Sequence, residues 1–335
     1  MDRRSAFIIF VIALTAVGTG LVLRAQSGRP GTAGEATTSI ATAAPTTTSI
    51  ADTVTTSTAT VTTTVAAVDD GPVCDRYQSV TVAGSLESSG LVETSGIAAS
   101  RTAPGVVWAH NDSGDEPSLY AVGSGGEDLG SVLLEGGLAF DWEDLAIGPG
   151  PGTTDSYLYV GDIGDNFEIR QGQVTVYLVR EPDPGGLEES VPIDLEVTLE
   201  SPDGSHNFEA LFVADQAIFV VTKDSETTAV YQSSPIDRSG SATLGLIATL
   251  DLGAEVTAAD MSWDGSMIAF RGYETVWMWR RAPGASVAEA LTTEPCAAPS
   301  PEERQGESIA FLADGSLVTV SEGSDVALHL VRREP

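Results

Sequence analysis

Positive charge is what this sequence has least of. Lys and Arg number 16 against 48 Asp and Glu, giving a net charge of −32 over 335 residues. Such a chain repels phosphate backbones and anionic headgroups, which excludes nucleic acid and anionic lipid as partners. Cations are favoured, beside the plainer reading that acidity serves solubility. Three His and two Cys form no cluster with zinc-ligand spacing. There is no Gly-x-Ser-x-Gly elbow and no Ser-His-Asp order, so neither familiar route to a serine nucleophile is open. Apolar residues at helical spacing are nowhere sustained, which argues against a helical domain.

What is present divides the chain in three. Asp2-Arg3-Arg4 precedes an apolar run from Ala6 to Leu23. The run is at the short end for spanning a bilayer and long for a signal-peptide core. Leu23-Arg24-Ala25 is a poor cleavage context, so residues 1–26 read as an uncleaved anchor with Arg3 and Arg4 inside. A cleaved signal peptide is the alternative. No Cys follows the run, which excludes a lipoprotein. Residues 27–72 are rich in Thr and Ala and cannot bury enough apolar area to offset ordering their backbone. They read as a mucin-type stalk. It holds residues 73–335 outside the cytoplasm, touching the membrane only through the N-terminal segment. In that oxidising setting Cys74 and Cys296 are expected to pair, the alternative being two separate buried thiols.

Residues 73–335 carry a repeat. Glu93-Thr94-Ser95-Gly96-Ile97-Ala98, Asp141-Trp142-Glu143-Asp144-Leu145-Ala146, Asn207-Phe208-Glu209-Ala210-Leu211-Phe212, Glu255-Val256-Thr257-Ala258-Ala259-Asp260 and Gln305-Gly306-Glu307-Ser308-Ile309-Ala310 share an opening pattern. Aligned on Ser95, Glu143, Glu209, Thr257 and Glu307, the copies lie 48, 66, 48 and 50 residues apart. A period near 50 built from short strands predicts an all-β propeller. Four strands per repeat give five four-stranded blades, with six possible if the 66-residue gap hides another. The fourth strand of the fourth repeat is expected at Ala288–Thr292. The last repeat lacks a fourth strand, and Gln78–Ala83 is a strand without a home. Pairing the two closes the ring and leaves no open edge.

In this fold the starts of first strands and the ends of second strands share one face, around a central channel. Taken two apart to stay on one side of a strand, the starts are Glu93/Ser95, Asp141/Glu143, Asn207/Glu209, Glu255/Thr257 and Gln305/Glu307. Packed carboxylates repel, so the ring needs a cation, raised pKa values or water-filled spacing. Glu143, Glu209 and Glu307 are the expected metal ligands, because turn chemistry does not explain them. Ca2+ is the expected ion, since it takes six to eight oxygens. Glu93, Asp141, Asp112, Asp162, Asp165, Asn166, Asp224, Arg271 and Glu322 complete the expected ligand-binding face. Asp, Asn and Gly are also ordinary turn formers. His110 is the candidate general base on that face. Trp108 and Trp142 lie beside it in sequence and could stack a ligand.

Through Thr94-Ser95-Gly96-Ile97, Trp142-Glu143-Asp144-Leu145, Phe208-Glu209-Ala210-Leu211 and Gly306-Glu307-Ser308-Ile309, residues 77–335 resemble the SdiA-regulated family of extracytoplasmic β-propellers. Val318-Thr319-Val320-Ser321-Glu322 adds to the match, and Thr257-Ala258-Ala259-Asp260 departs from it. The resemblance implies fold and location more than activity. A looser likeness, to phytase-like esterase and gluconolactonase-type propellers, rests only on the acidic mouth. Three functional readings follow. The first is a tethered propeller binding a divalent cation and a small or peptidic ligand at the mouth. The second is a Ca2+-dependent hydrolase of phosphoesters, esters or lactones, and the third a cell-wall-associated structural protein.

Overall fold

The computed structural model describes residues 71–334. The expected anchor (1–26) and nearly all of the expected stalk (27–72) lie outside them. The first strand, β1 (Tyr77–Ser85), follows a short 3-10 turn. The next four are β2 (Thr94–Ala99), β3 (Val106–Asn111), β4 (Ser118–Gly123) and β5 (Asp128–Glu135), paired in sequence as an antiparallel sheet. The second sheet is β6 (Trp142–Pro149), β7 (Ser156–Asp162), β8 (Gln173–Arg180) and β10 (Leu195–Glu200), with the short β9 (Ser190–Pro192) docked on β5. The third set is β11 (Phe208–Ala214), β12 (Ala217–Thr222), β13 (Thr228–Ser233) and β14 (Ser241–Leu250), whose β14 runs parallel beside β10 over Thr198–Glu200 and so joins it edge to edge with the second. The fourth is β15 (Ala258–Met261), β16 (Met267–Arg271), β17 (Val276–Arg280) and, after the helix α1 (Val287–Ala290), β18 (Cys296–Ala298). The last contains β19 (Gly306–Phe311), β20 (Leu317–Ser321) and β21 (Ala327–Arg333), and β1 completes it.

The protein is a β-propeller. Its first strands neighbour one another in the cyclic order β2, β6, β11, β15, β19 and back to β2. The core follows from that arrangement. Five apolar clusters are present, each filled from two adjacent sheets. The inner strands of each sheet are thus buried on both faces, as β2, β12 and β19 are throughout, while outer strands such as β1 and β14 stay largely exposed.

β1 pairs antiparallel with β21 from Tyr77 opposite Arg333 to Ser85 opposite Ala327, so the N-terminal strand closes the ring. Cys74 and Cys296 form a disulfide with Cα atoms 5.9 Å apart, tying the start of β1 to β18 in the neighbouring sheet. The extra length before Glu209 holds β9 and loops. Among the described residues it adds no further four-stranded sheet.

One strand is not where the sequence places it. Ala288–Thr292 is not the fourth strand of its repeat. Ser286 there accepts the Glu289 amide while Glu289 returns to the Ser286 amide, a capping box that starts a helix. The strand is Cys296–Ala298, paired with Val276–Met278 and held by the disulfide.

Candidate metal and ligand site at the channel mouth

Four first strands carry a register shift near their start, between Thr94 and Ile97, Trp142 and Leu145, Phe208 and Ala210, and Gly306 and Ser308. These bulges contain Ser95, Glu143, Glu209 and Glu307. A bulge inserts an extra residue and re-aims side chains, so simple two-residue alternation fails at these positions. Hydroxyl and carboxyl residues at the aligned positions behave differently, Thr257 standing just before β15, which has no such shift. Ser95 Oγ donates to the Glu143 carbonyl at 2.5 Å, and Thr257 Oγ1 to the Gly306 carbonyl at 2.8 Å. Each ties one blade to the next, whereas Glu143, Glu209 and Glu307 keep their carboxyls for the mouth.

Below the bulges the channel is crossed by a buried carboxyl. Asp144 Oδ2 accepts the Leu211 amide at 2.8 Å and the Ala259 amide at 3.0 Å, and Oδ1 accepts Leu145 at 2.8 Å. One side chain thereby joins β6, β11 and β15. Asp260 Oδ2 accepts the Phe311 amide of β19 at 2.7 Å. Burial pushes Asp144 well above the carboxylate range and Asp260 to about 7, against the pull of these amides.

The carboxyls of the mouth fall into distinct groups. Glu209 is paired: Lys223 Nζ lies at 3.0 Å and Asn207 Nδ2 donates at 2.9 Å. Burial works against the Lys223 charge, but Glu209 outweighs it and the lysine pKa is raised. Glu307 accepts Gln305 Nε2 at 2.9 Å, and burial raises it to about 7. Asp112, Asp141 and Glu143 form the third group, each offering an oxygen within 4.8 Å of the others. Burial raises Asp112 and Asp141 each to about 6, and Arg170 only partly offsets it at Asp141. Burial, then the Glu209 charge, holds Glu143 well above its ordinary value. Of the three expected metal ligands only Glu143 belongs to this group. Asp112 and Asp141, expected to bind ligand, join it.

This donor set suits a hard cation, being all oxygen and short of positive charge. Gly164 shows how closely it is packed, since a Cβ there would collide with Glu143 and Asp141. Gly164→Ala is therefore expected to displace those carboxylates. A lowered melting midpoint and a lost response to Ca2+, measured in one thermal series, check this.

Several other expected site residues are structural. Asp162 is 3% exposed and accepts the amides of Phe140 (3.4 Å) and Asp141 (3.1 Å), with Arg170 paired to it. Asp165, equally buried, accepts Ile169 at 2.7 Å and Arg170 at 3.1 Å. Asn166 accepts from Asn207 at 3.2 Å, and Asp224 closes its own turn through the Glu226 amide at 2.8 Å. Glu93 is exposed, its amide held by Asn111 Oδ1 at 3.1 Å. Glu322 is raised by partial burial and then by Glu93. Arg271 is fully buried and pairs with Glu303, which also holds His329 Nδ1 at 2.6 Å. His110 lies beneath the face rather than on it. It is 0% exposed, edge-on to Trp142 at 5.3 Å, and burial depresses its pKa to about 4. Trp108 and Trp142 are buried in the apolar core between the first two sheets rather than exposed on the face.

No family model and no curated protein matches the chain. Among solved structures it is similar to the PQQ-bound aldose sugar dehydrogenase of Streptomyces coelicolor. Identity there is 16% and the TM-score 0.41, over 76% of this chain and 98% of that one. It is also similar to a chain of the mitotic checkpoint complex, at 12% identity and TM-score 0.34, over 71% of this chain and 61% of that one. The propeller assignment rests on strand order and the cyclic arrangement of first strands.

Proposed function

We propose that the protein is an extracytoplasmic, membrane-tethered propeller of the SdiA-regulated type, whose channel mouth binds a divalent cation and a small or peptidic ligand. The observation that carries this reading is the group Asp112, Asp141 and Glu143. Its oxygens lie within 4.8 Å of one another, while the nearby Lys223 is already paired with Glu209. Ca2+ fits best, because the donors are carboxylates and Ca2+ accepts flexible oxygen coordination. A bound ion would hold the three carboxylates and offset their repulsion. The binding reading is favoured over a hydrolase because His110 is enclosed beneath the face, where it touches no substrate.

Calorimetric titration of the full-length chain with Ca2+ tests the proposal. Saturable binding in the parent, lost in Glu143→Gln and weakened in Asp112→Asn, is the expected result. Undiminished binding in both variants would place any ion elsewhere.

pH gives a second test. Asp112 and Asp141 titrate near 6 when folded and 3.8 as free groups, and Glu307 near 7 against 4.5. The folded protein therefore holds more protons than the unfolded chain between about pH 4 and 7. His110, depressed to about 4, opposes this over part of the window, but the raised carboxyls, Asp260 among them, outnumber it, so stability is expected to fall as pH rises through it. Metal-free protein is expected to melt at a lower temperature at pH 7.5 than at pH 5, and Ca2+ to narrow the gap.

A further inference from the structure

Beside the acidic group stands a set of apolar side chains exposed to solvent. Of eight large hydrophobics exposed among the described residues, four belong to two loops of the second blade. These are Leu138 (70%) and Phe140 (58%) before β6, and Phe167 (84%) and Ile169 (59%) after β7. Exposed apolar groups this concentrated mark an interaction surface rather than ordinary scatter.

The loops are held in place. Asp162 takes the Phe140 and Asp141 amides from one loop and pairs with Arg170 of the other. Asp165 closes the second loop on the Ile169 and Arg170 amides. Gly164 N donates to the Asp141 carbonyl at 3.2 Å, joining the loops directly. Arg170 packs against the Phe140 ring with its guanidinium carbon 4.7 Å from the centroid. Two buried aspartates and an arginine thus hold apolar side chains out in water. That arrangement lowers the ordering cost of binding.

We infer that these loops dock a basic, apolar peptide segment, one in which lysine or arginine alternates with large hydrophobic residues. The inference rests on reading the acidic mouth as a binding face. Charge selects the partner. Glu168 is exposed between Phe167 and Ile169, and Asp141 follows Phe140. A cationic residue beside an apolar one meets both at once. A second copy of this chain would bring a net charge of −32 against the same sign, and an anionic membrane would be repelled.

Surface plasmon resonance with the immobilised full-length chain tests this, in EDTA and again in Ca2+. Three pentapeptides serve as probes: alternating leucine and lysine, the same with glutamate for lysine, and the same with serine for leucine. Only the first is expected to bind. Phe167→Ser should weaken it about tenfold or more, as loss of an aromatic anchor does. At 84% exposure Phe167 is replaceable without harm to the fold. Glu168→Lys should weaken the lysine peptide and admit the glutamate one. Equal binding of all three peptides, no binding, or indifference to Phe167→Ser would overturn the inference. So would Phe167-dependent binding to zwitterionic vesicles without peptide preference, which would give the surface to lipid. An intact Ca2+ response without peptide discrimination sinks this inference alone. Peptide discrimination in EDTA without any Ca2+ response sinks only the metal site.

Discussion

Asp144→Ala is expected to be among the most damaging single changes in the protein. The substitution leaves the amides of Leu145, Leu211 and Ala259 without their acceptor in the closed interior of the channel. Each buried unsatisfied group costs about 1–3 kcal/mol. Removing a buried carboxyl that resists ionisation offsets part of this, so a net loss of roughly 3–6 kcal/mol is expected. Asp144→Asn separates the hydrogen bonds from the volume. The amide keeps the shape but can accept on one side only, and both carboxyl oxygens of Asp144 accept. Whichever way it turns, an NH2 group meets an amide N–H. Denaturant unfolding should find Asn nearly as harmful as Ala. A variant with asparagine as stable as the parent would show that Asp144 does not bridge the three strands.

Breaking the Cys74–Cys296 bond is the second large effect. The bond spans 222 residues and secures the start of the strand that closes the ring. Loss of a long-range disulfide costs about 2–5 kcal/mol. For a domain of this size that lowers the melting midpoint by roughly 5–15 °C. The paired Cys74→Ala and Cys296→Ala variant should show this drop, and reductant should produce it in the parent. Because the loss concentrates on β1, amide exchange should quicken first along β1 and β21. Uniform quickening across all sheets would contradict a closure role.

Much of this architecture is written in local patterns. The repeated opening pattern and the unpaired strand at Gln78–Ala83 are short-range signals, and the strands follow them. The fourth sheet diverges where a capping box at Ser286 outweighs the apolar content of Ala288–Thr292. The acidic mouth was legible from carboxylates recurring at aligned positions. Which of them stand together was not, because bulges break the alternation used to place them. The partners that remove Glu209 from the group, Lys223 and Asn207, come from a neighbouring strand end and a preceding loop. His110 was misplaced for a similar reason: β3 runs on to Asn111, so the histidine is inside the sheet. Asp162 and Asp165 looked like ligands and are loop hubs. The apolar loops had a signal, two Phe and an Ile within Gly- and Asp-rich turns, but turn chemistry masked it.

The melting midpoint of the full-length chain against free Ca2+, from EDTA upward at pH 7.5, tests cation binding at the mouth most directly. A site present only in the native state raises the midpoint with ion concentration. A progressive rise is expected in the parent, absent in Asp141→Asn and Glu143→Gln. Both variants should themselves melt higher than the parent in EDTA, because each removes a carboxyl that burial disfavours. A parent midpoint that stays level from EDTA to millimolar Ca2+ would contradict cation binding there.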